Sequence, residues 1–337
     1  MTTVRIEAGP ATTEGFFGRL LGDRRFPVLV TLLLLVVMYA FGSYRYSFDA
    51  QVPPNLLINN SYLIVAAVGA TFVILSGGID LSIGSLVGFS AVLLAVLVTK
   101  HHWPLWAAAP VVLAVGALGG ALMGCMVHFF KVQPFIATLT GLFLFRGLSQ
   151  MLAKGSIPID EHSVATLAQY QITLPGGAFL SVGAAVAVVV VAVAAVVLHY
   201  TRFGRRIYAV GGNEQSALLM GIPVGRTKIA TYAVSGFCSA LAGLVFVLYQ
   251  QSGNPLAAIG MELDAIAAVV IGGTLLTGGA GYILGSLLGV LLMGLIKTII
   301  TDEGVSNSWW TQIITGALLL AFILLQLAVT ARRRRSS

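Results

Sequence analysis

The sequence predicts an all-α polytopic membrane protein of about ten transmembrane helices, with Gly-broken segments and a possible internal duplication. Three observations carry that prediction. Of 337 residues, 58% are hydrophobic and only 9% are charged, where a soluble domain carries about 25% charged residues. Apolar runs close to the roughly 20 residues that a membrane helix needs recur along the whole chain. Basic residues collect in alternate gaps between those runs. Residues 27–330 therefore read as one transmembrane domain, preceded by a polar segment 1–26 and followed by a basic tail 331–337.

The runs fall at 27–46, 56–75, 82–99, 105–128, 134–153, 179–200, 229–250, 263–277, 281–300 and 309–330. The first follows a leader that is long for a signal peptide and lacks a clear A-x-A site, so Pro27 to Gly42 reads as a retained span. The sixth contains "VAVVVVAVAAVV" at 186–197, a plain lipid-compatible helix. The eighth is short and interrupted by Gly272 and Gly273. It reads as a full crossing or as a half-membrane segment, and the sequence leaves both open. Cys125 and Cys238 lie inside apolar runs without metal-type spacing and read as small buried hydrophobes.

Charge sets the orientation. With the N-terminus cytoplasmic and ten crossings, the inside segments hold fourteen Lys and Arg, including Arg202, Arg205, Arg206 and Arg332 to Arg335. The outside segments hold three, Arg45, Lys100 and Lys154, while Arg146 and Lys297 lie within runs. This is the asymmetry of the positive-inside rule, and it places both termini in the cytoplasm. The formal charge of +7 is thereby explained by membrane orientation, with no basic face for nucleic acid.

Two glycine-rich stretches resemble each other. "SGGIDLSIGSLVG" (76–88) and "TGGAGYILGSLLG" (277–289) align with Gly77, Gly78, Gly84, Ser85, Leu86 and Gly88 against Gly278, Gly279, Gly285, Ser286, Leu287 and Gly289. Corresponding broken segments in two halves of a transporter point to a transport pathway; close helix packing is the alternative use of the same glycines. Asp80 sits in the first of them. A carboxylate facing lipid costs several kcal/mol, about 3 on insertion scales, so Asp80 faces protein, water or a boundary. It reads either as a cap, with Ser76 and Ser82, for a helix starting near Ser82, or as a pathway residue. Arg146 is the candidate counter-charge.

The longest charged inside segment is "TRFGRRIYAVGGNEQSALLMGIPVGRTK" (201–228). Asn213 can cap a short helix with Glu214 in its first turn. Ala217, Leu218 and Met220 give it an apolar side, and Gly221 with Pro223 ends it. So short a helix needs a partner surface, either another protein or the lipid face. There is no G-x-x-x-x-G-K-[ST], since none of the five lysines follows a glycine, and no H-E-x-x-H or nucleophile elbow. No catalytic residues, metal ligands or cofactors are expected, and ATP hydrolysis would have to come from another chain.

"ILSGGIDLSIGS", the 201–222 stretch and "ELDAIAAVVIGGTLLTGGAG" together resemble the membrane subunits of ribose/xylose/galactose-type sugar ABC importers, over about residues 27–330. "FLFRGLSQMLAKGSIPI" (143–159), "GMELDAIAAVVIGGTLLTGG" (260–279) and "SWWTQI" (308–313) are most similar to a galactofuranose permease subunit. The resemblance implies a multi-pass permease of the bacterial inner membrane that moves a monosaccharide by alternating access. It implies three partners: a cytoplasmic ABC ATPase, a second and paralogous permease subunit, and a periplasmic sugar-binding protein. Asn213, Glu214, Ala217, Leu218, Met220 and Gly221 then match the segment that couples to the ATPase. Sugar hydroxyls would need polar groups on the route, and Asn59, Asn60, Ser76, Asp80, Ser82 and Thr138, with Gly77, Gly78, Gly278 and Gly279 at the breaks, are the candidates. The rival readings are an ion-coupled secondary transporter using Asp80, a channel and, least supported, an intramembrane enzyme.

Overall fold

Helices occupy the apolar runs, and glycine, proline and polar residues mark where they stop. The computed structural model describes residues 26–304 and 308–336. In chain order the helices are α1 (Phe26–Tyr46), α2 (Val52–Asn59), α3 (Ser61–Leu75), α4 (Ile83–Ala95, continued by a π-helical turn Val96–Lys100), α5 (Leu105–Phe129), α6 (Pro134–Leu152) and α7 (His162–Gln169). There follow α8 (Val182–Tyr200), α9 (Arg202–Gly212), α10 (Glu214–Leu219), α11 (Val224–Gln250), α12 (Met261–Ile271), α13 (Ile283–Asp302) and α14 (Ser308–Ser336). Four short strands pair in twos, β1 (Ile157–Pro158) with β4 (Ser252–Gly253) and β2 (Gln171–Thr173) with β3 (Phe179–Ser181).

Among the described residues, seven helices are long and apolar enough to cross a membrane: α1, α4 with its π-turn, α5, α6, α8, α11 and α13. The pair α2–α3, bent by 61°, makes an eighth. The bend falls at Asn60, whose Nδ2 donates to the Leu56 carbonyl at 2.8 Å. The remaining two predicted runs hold α12 and α14; the apolar part of α14 described in side-chain detail is Gln312–Leu324. Residues 1–25 and the side chains of Arg332 to Arg335 lie outside what is described.

The eighth run settles as a half-length helix. The 11 residues of α12 rise about 16 Å, against a hydrocarbon core of about 30 Å. The chain covers the rest of the distance as an irregular stretch, 254–260.

Packing follows from composition. Every residue of α3 except Tyr62 is buried, as befits a helix apolar on all sides. It lies against α11, which also packs on α4 and α5. At the α5–α11 crossing, Gly116 and Gly120 face Gly236, and a Cβ at Gly124 would come within 2.8 Å of the Ile229 Cα. Small residues one turn apart let two backbones touch, and van der Waals contact of that kind holds helices together where lipid removes the hydrophobic driving force. The outward faces of α5, α6 and α8 present Leu118, Leu122, Phe143, Leu144, Val188 and Val193, a surface matched to acyl chains.

The bundle has two unlike ends. One carries α7, the four strands and the start of α8; there Gln51 bonds both backbone groups of Phe179, at 3.1 and 2.9 Å. The other carries α9 and α10 with most of the described basic residues.

Candidate functional site

Both glycine breaks fold as turns between a descending and an ascending helix, α3 into α4 and α12 into α13. Gly77 and Gly278 have φ of +82° and +85°, a conformation that a Cβ disfavours. The two turns also touch each other. A Cβ on Gly278 would lie 2.8 Å from the Gly77 nitrogen, and the Gly279 amide donates to the Leu75 carbonyl at 3.0 Å. From below, α9 closes the pair: Gly211 packs on the Leu75 carbonyl and on Gly279, and the Tyr208 hydroxyl donates to the Gly281 carbonyl at 2.8 Å.

Asp80 is 3% exposed and fully engaged. Its Oδ1 accepts from the Ser82 amide at 2.9 Å and the Ser82 hydroxyl at 2.6 Å, and its Oδ2 accepts from the Ser235 hydroxyl of α11 at 2.7 Å. Three donors replace the water that an interior carboxylate loses. Asp80 thus opens α4 at Ser82, which is the N-cap position, and ties that opening to α11.

Arg146 is not its partner. The Arg146 Nη1 instead donates to the Pro255 carbonyl at 2.9 Å and the Ala257 carbonyl at 2.7 Å. Those carbonyls belong to the irregular stretch before α12, which has no helical donors of its own, and an orphan carbonyl at membrane depth is costly.

The other expected pathway residues divide. Ser76 and Thr138 are buried, bonded to the Val73 carbonyl at 2.8 Å and to the Pro134 and Ile79 carbonyls at 2.9 and 3.2 Å. Asn60 is half-buried at the α2–α3 bend and packs on Gly294, while Asn59 is exposed. Ser235 is the member of the Asp80 cluster that sequence reasoning missed; it lies 155 positions away in a run with no distinguishing pattern.

The 201–228 segment folds as an elbow. The Asn213 Oδ1 accepts from the Ser216 amide at 2.8 Å and caps α10. Gly221 leaves the helix with φ +75°. Ala217 is fully buried with Val210 and Val224, and Glu214 pairs with Lys228 at 2.7 Å. The expected single apolar side is split: Ala217 points inward as an anchor. Leu218, Leu219 and Met220 point outward, 64%, 89% and 68% exposed. Two large apolar side chains on a six-residue helix and a third at its C-cap make a surface that a partner would cover.

Known permeases resemble this chain along most of its length. The family described as branched-chain amino acid transport system / permease component matches residues 53–323. The inner membrane ABC transporter permease protein YjfF of Escherichia coli K12 is 43% identical over 318 residues, covering 93% of this chain and 96% of that one. The fructose import permease protein FruG of Bifidobacterium longum is 38% identical, covering 98% of each. The ribose import permease protein RbsC of Escherichia coli K12 is 38% identical, covering 88% of this chain and 91% of that one. No solved structure matches.

Proposed function

The chain belongs to the family of branched-chain amino acid transport system permease components, and from that premise we propose that it is the permease subunit of a bacterial ABC importer for a monosaccharide. Relatives named as fructose and ribose import permeases align along nearly the whole chain, which supports a sugar as cargo. Galactofuranose is the specific sugar we favour, on the stretches at 143–159 and 260–279. The protein sits in the inner membrane with both termini cytoplasmic. It pairs with a paralogous permease subunit and receives sugar from a periplasmic binding protein at the strand-capped end.

The observation that carries the reading is the elbow at the opposite end. A capped helix with its anchor buried and Leu218, Leu219 and Met220 exposed is suited to seat in a cleft of a cytoplasmic ATPase. Its displacement would pass through the Val210–Ala217–Val224 cluster to α9, and α9 touches both glycine breaks through Gly211. One motor stroke would reach both halves of the bundle, which is what alternating access requires. Ser76, Asp80, Ser82 and Thr138 serve in this scheme as struts of the moving parts. The rival ion-coupled mechanism asks Asp80 to bind a cation, yet its oxygens are already engaged by serine donors.

The test is reconstitution with the candidate ATPase, the second permease and the binding protein. Of labelled D-galactose, D-ribose and D-fructose, D-galactose should accumulate most in proteoliposomes with ATP, and its uptake should stop without ATP. Uptake driven by an ion gradient in the absence of ATP would defeat the proposal.

A further inference from the structure

The stretch between β4 and α12 descends along α4 in the opposite direction. A Cβ on Gly253 would lie 2.6 Å from the Ala95 Cβ, and one on Gly88 3.0 Å from the Ala257 carbonyl oxygen; at Gly84, in the first turn of α4, the Glu262 carboxylate lies in contact. From Ala95 to Gly84 is about 16 Å of helix rise. The first turn of α12 therefore lies deep inside the bundle. The register against α13 agrees. Gly285 packs on Gly272 and Gly289 on Ala268, so the next turn sets Asp264 beside Met293, halfway along the spanning helix α13 (Ile283–Asp302).

Asp264 is exposed at that depth, and so is Lys297, one turn further along α13. The two interact electrostatically without forming a close ion pair. Around them Ile259 and Leu263 are also exposed, at 68% and 62%. An ionisable side chain facing hydrocarbon costs about 2.5–3.5 kcal/mol on insertion scales. Irregular backbone at that depth is tolerated only where protein buries it or water reaches it. The outward faces of α5, α6 and α8 present Leu, Phe and Val; this face adds two exposed charged side chains to its apolar ones.

We propose that the α12–α13 face bearing Ile259, Leu263, Asp264 and Lys297 lines the aqueous translocation path, Asp264 accepting and Lys297 donating hydrogen bonds to the hydroxyls of a passing neutral sugar. The inference rests on the permease reading above and assigns it a surface. One carboxylate and one ammonium leave the lining without net charge, which suits a polyol and disfavours an ion. Arg146 is a positioning residue for this lining, since it holds the carbonyls of the stretch from which α12 starts.

The experiment uses the complete transporter in proteoliposomes, with Cys125→Ser and Cys238→Ala as background. Leu263→Cys and Ile259→Cys should react with a membrane-impermeant maleimide at least tenfold faster than Leu122→Cys and Val193→Cys. Asp264→Leu and Lys297→Met should each lower kcat/KM for labelled sugar at least tenfold, and Asp264→Asn, which keeps an acceptor, less than threefold. Equal labelling of all four cysteines would overturn the lining. Fast labelling at 259 and 263 with transport unchanged in both charge variants would overturn the sugar contact. Absence of ATP-driven uptake in the unsubstituted complex would defeat the permease reading instead, and the labelling would still decide the lining.

Discussion

Asp80 shows how one carboxylate is made tolerable inside a bilayer protein. The Ser82 donors are local, and they define where α4 begins. The Ser235 donor is distant, and it fixes that beginning against α11. Its removal in Ser235→Ala leaves Oδ2 without a donor. A hydrogen bond to a charged group contributes about 1.5–3 kcal/mol, and interhelical bonds in membrane proteins average nearer 0.6. We expect Ser235→Ala to destabilise by about 1 kcal/mol, between those ranges, read as a lower unfolding midpoint in detergent. In an Asp80→Asn background the loss should shrink, because the bond to Ser235 is then neutral and roughly half as strong as one to a carboxylate. An equal loss in both backgrounds would show that the two residues are not coupled. The local half of this cluster was legible: Asp80 and Ser82 stand two apart in an otherwise apolar stretch. Ser235 was not legible, because serine is common in membrane helices and its partner is set by tertiary packing.

The elements α10 and α12 were legible to different degrees, for one physical reason. Caps are written locally, so Asn213, Gly221 and Pro223 marked the bounds of α10. Which of its side chains face inward depends on α9 and α11, so Ala217 and Met220 were assigned to one side when they lie on two. Likewise Gly272 and Gly273 marked the end of α12. Its start reads at 263, two residues from the observed Met261; what stayed illegible is that 254–260 runs inside the bundle, because Asn254, Pro255 and Gly260 mark it as an ordinary loop. The energetics of α10 separate its residues by role. The Glu214–Lys228 pair is at the surface and is worth roughly 0–1 kcal/mol, so Glu214→Gln should change ATP-driven uptake less than twofold. Asn213→Ala loses a cap worth about 1 kcal/mol and should weaken coupling moderately. Met220→Arg places a charge where an apolar surface docks, and it should cut uptake per ATP hydrolysed at least tenfold while the protein still inserts. If Met220→Arg transports normally and Glu214→Gln does not, ion pairing and not apolar docking governs the contact.

For the whole molecule, two ends of opposite character imply one orientation. Lys131, Arg202, Arg205, Arg206, Arg226 and Lys228 cluster at the end that carries α9 and α10, whereas Arg45, Lys100 and Lys154 stand at the strand-capped end. Lys and Arg near span ends set the sense of insertion, because basic loops resist translocation. In the orientation we propose, the elbow lies in the cytoplasm, where a nucleotide-driven partner would be. In cells, a single Thr173→Cys on the hairpin should react with an impermeant maleimide added outside the inner membrane. Ser216→Cys on α10 should react only after permeabilisation. A fluorescent protein fused at the C-terminus should mature, and alkaline phosphatase fused there should stay inactive. The reverse pattern would put the exposed Leu218, Leu219 and Met220 on the periplasmic side. It would remove the coupling role together with the orientation, since no ATP-hydrolysing partner could reach them there.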